Sequence, residues 1–507
     1  MLVQEFLTHS ATRLPRKVAL VCDNRRLTFA ELDAMTNRLG NALVDKGVRR
    51  GDRVAIYLRN SVEAAVGIFA ALKAGGAFVL IDASTKPDKL RSILSQCRAT
   101  ALMADSRADA GELVDLLRGV PSLTCGVLCG PVGPDTDARL HLFDEIQIDS
   151  AATPLPSVNV DQDLACLVYT SGSTGEPRGV MCDHGNVDFA STSIMTYLEN
   201  REDDIVLGVL PLSCSYGLYQ LLMTVKFGGT LVLERSFVYP ALILQRIQEE
   251  RITGFPGVPA IFAILLQMER GAFDLSSLRY ITSAADALSP SHIRGLQDAF
   301  PGVSLYSMYG LTETARALYL PPSQLASRPD SVGIPIPGTE AWIEDEDGRR
   351  VGAEQTGELV VCGRHVMRGY WESPEATARR FRPGAVPGER LCHTGDLFRT
   401  DEEGHFYFVS RMDDIIKCRG EKVAPKEVEA VLHMLPGVTA AVVGVPDPIG
   451  GHAVKAFIVS RGDPLTESEV IAHCRAHLED VKVPTYIEFR SELPMTPSGK
   501  VSRIGLT

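Results

Sequence analysis

The chain has 507 residues, enough for roughly three domain-sized units. Its 45% hydrophobic and 22% charged residues are the balance of an ordinary soluble globular protein. A net charge of −12 argues against nucleic acid or an anionic membrane surface as the main partner, and no uninterrupted apolar run reaches the ~20 residues of a membrane span.

Met1 to Arg13 has no basic start followed by an apolar core, so no secretory signal is expected. Eleven cysteines are scattered without a CxxC, which suits reduced thiols in a cytoplasmic protein rather than a zinc site. Leu27 to Asp33 opens a helix, with Thr28 as cap and Glu31 closing a capping box. Gly51 to Tyr57 reads as a turn feeding a strand, Asn60 to Ala74 as an apolar helix ending at Gly75-Gly76, and Ala77 to Ile81 as the next strand. Such alternation predicts a largely parallel sheet covered on both faces. Residues 105–160, rich in Gly, Pro and Asp, are the least informative part of the chain; Gly130 to Pro134 marks a surface loop.

A buried strand, Leu164 to Val168, leads into Tyr169-Thr-Ser-Gly-Ser-Thr-Gly-Glu-Pro-Arg-Gly-Val180. The glycines let backbone N–H groups approach a ligand; Thr170, Ser171, Ser173 and Thr174 add hydroxyls; Arg178 adds a fixed charge. Together they suit a polyphosphate, with a polar strand-to-strand turn as the plain alternative. No Gly-Lys-Ser/Thr follows, so this is not a Walker loop. Leu210 to Leu218 follows a strand and opens an apolar helix; Gly257 to Leu266 reads as a helix with Pro259 in its first turn; Leu278 to Thr282 is another strand. In Tyr309-Gly-Leu-Thr-Glu-Thr314, Tyr309 offers a face to a base, Thr312 a hydroxyl to a phosphate and Glu313 a hard oxygen to Mg²⁺. Asp347-Gly348 signals a hairpin and Gly357 to Val361 a strand. Asp396, expected after a turn, suits two vicinal hydroxyls. From Asp414 the pattern is a small α/β unit, ending in a Pro- and Gly-rich loop that projects Lys500.

These stretches, in this order, resemble the adenylate-forming superfamily: acyl-CoA synthetases, luciferases and the adenylation domains of peptide synthetases. The resemblance spans nearly the whole chain, and it implies that Gly369-Tyr370-Trp371 packs beneath the active site with Trp371 in the core. It implies a large N-terminal domain (1–412) of layered αβ subdomains with a partly parallel sheet and a β-barrel-like part, and a small mobile α+β lid (413–507). It implies that Thr170, Ser171, Gly172, Ser173, Thr174 and Gly175, with Arg178 where the family usually has Lys, hold ATP phosphates. Ala284 and Ala285, where Gly-Gly is common, with Tyr309 and Gly310, face the adenine. Asp396 and Arg411 hold the ribose or a phosphate; Glu313 anchors Mg²⁺; Thr312 meets a phosphate; Lys500 bridges the carboxylate and the α-phosphate.

The acid would lie along Cys214, Ser215, Tyr216, Gly217, Val258, Ile261, Phe262, Ser283 and Met308. Cys214 stands where His or an aromatic residue is usual; its plain alternative is a buried small residue. Ser215 stands where peptide-synthetase domains carry an Asp for the α-amino group, which argues against an amino acid and favours a fatty or aryl acid. Asp413 matches the hinge and Gly420 the thiol tunnel, with Lys417 and Lys422 steering the phosphates of coenzyme A or a phosphopantetheine carrier. The implied activity is a two-step, AMP-forming acid–thiol ligase. The alternatives are a stand-alone adenylase that loads a carrier protein or an amine, and a non-catalytic acyl-nucleotide sensor. A homodimer is compatible with the sequence.

Overall fold

Thr28 starts its helix as its sequence predicts. Its hydroxyl accepts from the Glu31 backbone N–H at 3.2 Å, and the Glu31 carboxylate accepts from the Thr28 backbone N–H at 2.8 Å, so two donors that the helix leaves open are satisfied before Phe29–Asp45 winds. The computed structural model describes all residues except 106–109, 131–136, 172–176, 419–420, 448–450, 462–464, 496–500, 502–505 and 507; side chains at 110–112, 171, 417, 421–422 and 451 are likewise not described. The chain gathers into two units. The first holds Met1–Pro329, Pro335–Glu340 and Cys362–Cys392, the second Asp330–Ile334, Ala341–Val361 and His393–Thr507.

The first unit contains two sheets. One runs Leu140–Leu142, Cys125–Cys129, Ala99–Asp105, Arg53–Tyr57, Ala77–Leu80 and Leu164–Ser171, all parallel, with Pro177–Asp183 antiparallel at its edge. Every residue of Ala77–Leu80 and Cys125–Cys129 is buried, as expected of strands covered on both faces. The other runs Leu318–Leu320, Ser304–Tyr309, Tyr280–Ser283, Gly254–Gly257, Ile205–Gly208, Thr230–Leu233, Val18–Cys22 and Arg25–Thr28, antiparallel only at its two ends. In parallel sheets ligands bind beyond the carboxyl ends of the strands. Four neighbouring strands of this sheet end at Gly208, Gly257, Ser283 and Tyr309, so the stretches beginning at 209, 258, 284 and 310 emerge side by side. Residues 105–160, which the sequence left uninformative, include the helix Ala110–Gly119 and the strand Cys125–Cys129; of the loop expected at Gly130 to Pro134, all but Gly130 lies outside the described residues.

The second unit carries one sheet containing Glu340–Glu344, Gly357–Cys362, Arg390–Thr400 and Phe406–Arg411. A further sheet holds Glu421–Val423, Ile416–Cys418, Gly451–Ser460 and Val438–Asp447, with Tyr486–Phe489 beside Gly451–Ser460. Helices Pro425–Leu432 and Glu467–His477 close a core around Val428, Leu432, Val470 and Cys474 on this sheet. The mixed α/β class with a large N-terminal and a small C-terminal part is as expected. All eleven cysteines are free thiols. No helix among the described residues is long and apolar enough to cross a membrane.

Two buried histidines give the first unit a pH dependence. Burial lowers the His184 imidazole to about 4 and the His365 imidazole to about 4. His184 accepts the Val3 N–H at Nδ1, and His365 stacks on Phe189 at 5.7 Å. Between pH ~6.5 and ~4 the unfolded chain binds protons that the folded one refuses. Stability should therefore fall across that window as pH drops, by about 3 kcal/mol per histidine at its acid end. Urea midpoints measured from pH 7 to 4.5 test this; a flat profile would contradict it.

Candidate active site

The two strands of the hydroxyl-rich stretch form an antiparallel hairpin with Thr170 opposite Arg178. Gly172, Ser173, Thr174 and Gly175 lie outside the described residues, as does the Ser171 side chain. A second segment adds itself to the outer strand. The N–H groups of Arg368 and Trp371 donate to the carbonyls of Met181 and Gly179 at 2.9 and 2.8 Å, and the N–H of Met181 donates to Gly369 at 2.9 Å. Tyr370 is thereby delivered beside Arg178, whose guanidinium lies 5.7 Å from the ring centroid. Trp371, expected in the core, is only partly buried: its indole N–H donates to Gln96 at 3.0 Å and Arg53 lies over its ring.

Tyr370 joins this hairpin to Glu313. Its hydroxyl donates to Glu313 Oε1 at 2.6 Å, and the Met367 N–H donates to the Glu313 carbonyl at 3.0 Å. Burial and the Glu313 charge push the Tyr370 phenol far up, so it stays a donor. Glu313 is buried, and its second oxygen takes no hydrogen bond from a described residue. A buried carboxylate with one donor is under-compensated and suits a cation. The donor chemistry fits Mg²⁺, which takes one or two carboxylates and completes its shell with phosphate and water oxygens. Among the described residues no group of three His, Cys, Asp or Glu side chains forms a metal cage, so the remaining ligands would come from substrate and solvent. Sequence reasoning did not assign Tyr370 a role; a tyrosine beside a tryptophan reads as packing.

Glycine at 310 is required by close approach: a Cβ there would stand 2.6 Å from the Ala315 carbonyl oxygen. Thr312 is partly exposed in the same turn, which is closed by the Thr314 N–H donating to Leu311 at 3.1 Å. Ala284 is buried, and Ala285 holds φ +79°, a conformation that favours glycine. Ala285→Gly should therefore stabilise the protein by about 0.5–1 kcal/mol, the relieved strain slightly exceeding the added chain entropy. A lower thermal midpoint for that variant would show that the methyl group packs.

The acyl-side residues cluster at the strand ends. Cys214 is partly exposed and is the N-cap residue of helix Ser215–Phe227, without a side-chain cap bond. Gly217 lies close against backbone: a Cβ there would stand 2.2 Å from the Pro211 carbonyl oxygen. Tyr216 is buried with its hydroxyl donating to the Thr282 carbonyl at 2.9 Å. Val258 caps helix Pro259–Leu266, and Ile261 is buried in its first turn. Phe262 is fully buried edge-on to Phe255 at 5.7 Å, which places it in the core. Ser283 and Met308 are buried on neighbouring strands, Met308 sulfur accepting from the Tyr197 hydroxyl at 2.9 Å. Beside them stands a residue that sequence reasoning passed over: Arg316, 5% exposed, with its guanidinium 4.2 Å from the Tyr216 ring centroid. Burial pushes the Tyr216 phenol up to about 12, against the pull of that charge. The available signal was a lone cation in the apolar run Ala315-Arg-Ala-Leu318.

In the second unit Asp396 is buried inside strand Arg390–Thr400 rather than after a turn. Gly395 at φ +67° kinks the strand, and its N–H donates to Glu358 at 2.8 Å. Asp396 pairs in register with Arg411, whose Nε lies 3.3 Å from its Oδ1. Asp413 is exposed in the short turn Met412–Asp414 that follows. Lys417 is in strand Ile416–Cys418 and Lys422 in strand Glu421–Val423, both with side chains outside the described set; Gly420 and Lys500 lie wholly outside it.

A family model described as AMP-binding enzyme matches residues 7–371, and one described as AMP-binding enzyme C-terminal domain matches 427–500. The chain is 33% identical to feruloyl-CoA synthase of an Amycolatopsis species, over 96% of this chain and 94% of that protein. It is 31% identical to tyrocidine synthase 2 of Brevibacillus parabrevis over 99% of its own length, but spans only 14% of that protein. Among solved structures, anthranilate CoA ligase AuaEII in complex with anthranoyl-AMP superposes with TM-score 0.90 at 28% identity, covering 100% of this chain and 96% of that one. The amide bond synthetase McbA from Marinactinospora thermotolerans does so with TM-score 0.87 at 27% identity, covering 99% of each chain.

Proposed function

Because the chain belongs to the family of AMP-binding enzymes, we propose that it is an ATP-dependent, AMP-forming ligase for a carboxylic acid with a fatty or aryl body, and that coenzyme A is its acceptor. The observation that carries this is the linked set Arg178, Tyr370 and Glu313, which puts a fixed cation and an under-compensated carboxylate at the hydroxyl-rich hairpin.

In the first half-reaction a carboxylate oxygen attacks the α-phosphorus of ATP, the α–β phosphoanhydride bond breaks, and pyrophosphate leaves. Both reactants are anions, so the site must neutralise charge and align oxygens more than it must move a proton. Arg178 and the hairpin hydroxyls hold the β- and γ-phosphates. Glu313, oriented by Tyr370, holds Mg²⁺, which when bound neutralises phosphate oxygens. Asp396 and Arg411 orient the ribose, Tyr309 stacks against the adenine, and Lys500 stabilises the oxygens of the pentavalent phosphorus. In the second half-reaction the portion after Asp413 turns, withdraws Lys500 and presents Gly420. A thiol then attacks the acyl carbonyl, forming the thioester and releasing AMP.

The test is acid-dependent exchange of pyrophosphate into ATP over a panel of acids, followed by acceptor assays with free coenzyme A, a pantetheinylated carrier protein and an amine. Thioester formation with coenzyme A is the expected outcome. Exchange without coenzyme A turnover, but with carrier or amine product, would establish the stand-alone adenylase instead, a reading supported by the likeness to an amide bond synthetase. ATP binding with no exchange for any acid would indicate a sensor.

A further inference from the structure

Arg316 is a buried cation for which the described chain supplies no anion. Its Nη1 donates to the Ala315 carbonyl at 2.7 Å, and one face of its guanidinium rests on the Tyr216 ring. Its Nε is enclosed without a hydrogen-bond partner, and no described carboxylate pairs with it. The two contacts leave the same feature open. The carbonyl takes one terminal nitrogen, the ring takes a face and Nε is enclosed; Nη2 has no hydrogen bond to a described residue and is not among the enclosed atoms, so it is the nitrogen that a carboxylate oxygen can reach.

The backbone is shaped around this side chain. Ala315 is held at φ +54°, and the Arg316 N–H donates to the Thr314 carbonyl across it at 2.6 Å. Strain of that kind persists where the surroundings demand it. The setting is the acyl side. Tyr216 follows Cys214 and Ser215 at the start of their helix and donates to Thr282; the next residue, Ser283, also keeps a buried hydroxyl without a partner. A buried, unpaired guanidinium is costly, and a ligand anion removes the cost.

We propose that Arg316 is a specificity-determining residue that binds a second anionic group on the acid, so that the substrates are dicarboxylic acids. One carboxylate is activated; the other is held by Arg316 and undergoes no bond change. The reacting carboxylate is a poor occupant, because it loses its charge as the mixed anhydride forms, whereas a second one stays anionic through both half-reactions. Arg316 lies three positions after Glu313, a span of at most ~11 Å between their Cα atoms, which favours a short diacid. This inference rests on the ligase reading above and replaces its fatty or aryl acid with a short diacid.

The experiment uses the full chain with ATP and Mg²⁺. Pyrophosphate exchange is measured for acids paired by carbon number: butyrate with succinate, valerate with glutarate, hexanoate with adipate. In at least one pair kcat/KM for the diacid should exceed that for the monoacid roughly 10²-fold, and Arg316→Met should collapse that ratio by a similar factor. Arg316→Lys, which keeps the charge without the fork, should recover part of it. Should Arg316→Met not fold, the wild-type ratios alone decide. Exchange that favours the monoacid in every pair overturns this inference and leaves the ligase standing. No exchange with these six acids, when an acid of the wider panel does support it, overturns this inference alone; no exchange with any acid of either panel overturns the ligase reading, and this inference with it.

Discussion

Glu313→Gln should lower acid-dependent pyrophosphate exchange by roughly 10³-fold or more, with the fold intact. The two side chains share a shape, and the amide oxygen of Gln still accepts the Tyr370 hydroxyl, so the bond now measured at 2.6 Å is retained. What is lost is the formal charge proposed to compensate a divalent cation. Tyr370→Phe makes the complementary change. It keeps the charge but removes the donor that fixes the carboxylate, and a partner of that kind is typically worth 10- to 100-fold in metal affinity or activity. The pair separates charge from orientation. Titration with Mg²⁺ should rescue much of the Tyr370→Phe loss and little of the Glu313→Gln loss. Equal rescue of both, or a Glu313→Gln rate within about tenfold of wild type, would move the metal site elsewhere.

Tyr370 also shows how far the sequence could be read. The turn Tyr309 to Thr314 and the hairpin around Arg178 are local: their chemistry sits in consecutive residues, and glycines and hydroxyls announce a loop before any fold is known. The Tyr370–Glu313 bond joins positions 57 apart in the chain, through a segment that adds itself to the strand Pro177–Asp183. Nothing in the local pattern of Gly369-Tyr370-Trp371 distinguishes a donor from a packing ring. Arg316 was hidden for a related reason. An arginine between alanines reads as an exposed side chain, and only burial beside Tyr216 reveals a charge without a partner. Residues 105–160 were uninformative because glycines and prolines dominate the count, while the strand Cys125-Gly-Val-Leu-Cys129 is too short for periodicity and is identified by its parallel neighbours. Asp396 was expected after a turn because Gly395 precedes it; the glycine kinks a continuous strand instead.

Lys500→Ala should divide the two half-reactions. In the proposed mechanism Lys500 meets the substrates in adenylation, where negative charge gathers on oxygens between the carboxylate and the α-phosphorus, and is withdrawn for the second step. Losing that cation should cost roughly 10²- to 10³-fold in pyrophosphate exchange. The thiol attacks a neutral acyl carbon while AMP departs, and the lysine is then withdrawn, so thiolysis of a supplied acyl adenylate should stay within a few-fold of wild type. Asp413→Pro should give the opposite result. Asp413 lies exposed in the turn Met412–Asp414, and proline there fixes one backbone torsion where the proposed rotation would need the chain to change its path. Adenylation should survive and thioester formation should fail, leaving acyl adenylate bound and a burst of pyrophosphate of about one per site. Single-turnover measurement of each half-reaction in both variants reads the four rates directly. Coincident loss of both rates in Lys500→Ala would deny it a role confined to adenylation, and loss of adenylation in Asp413→Pro would place the pivot at another residue.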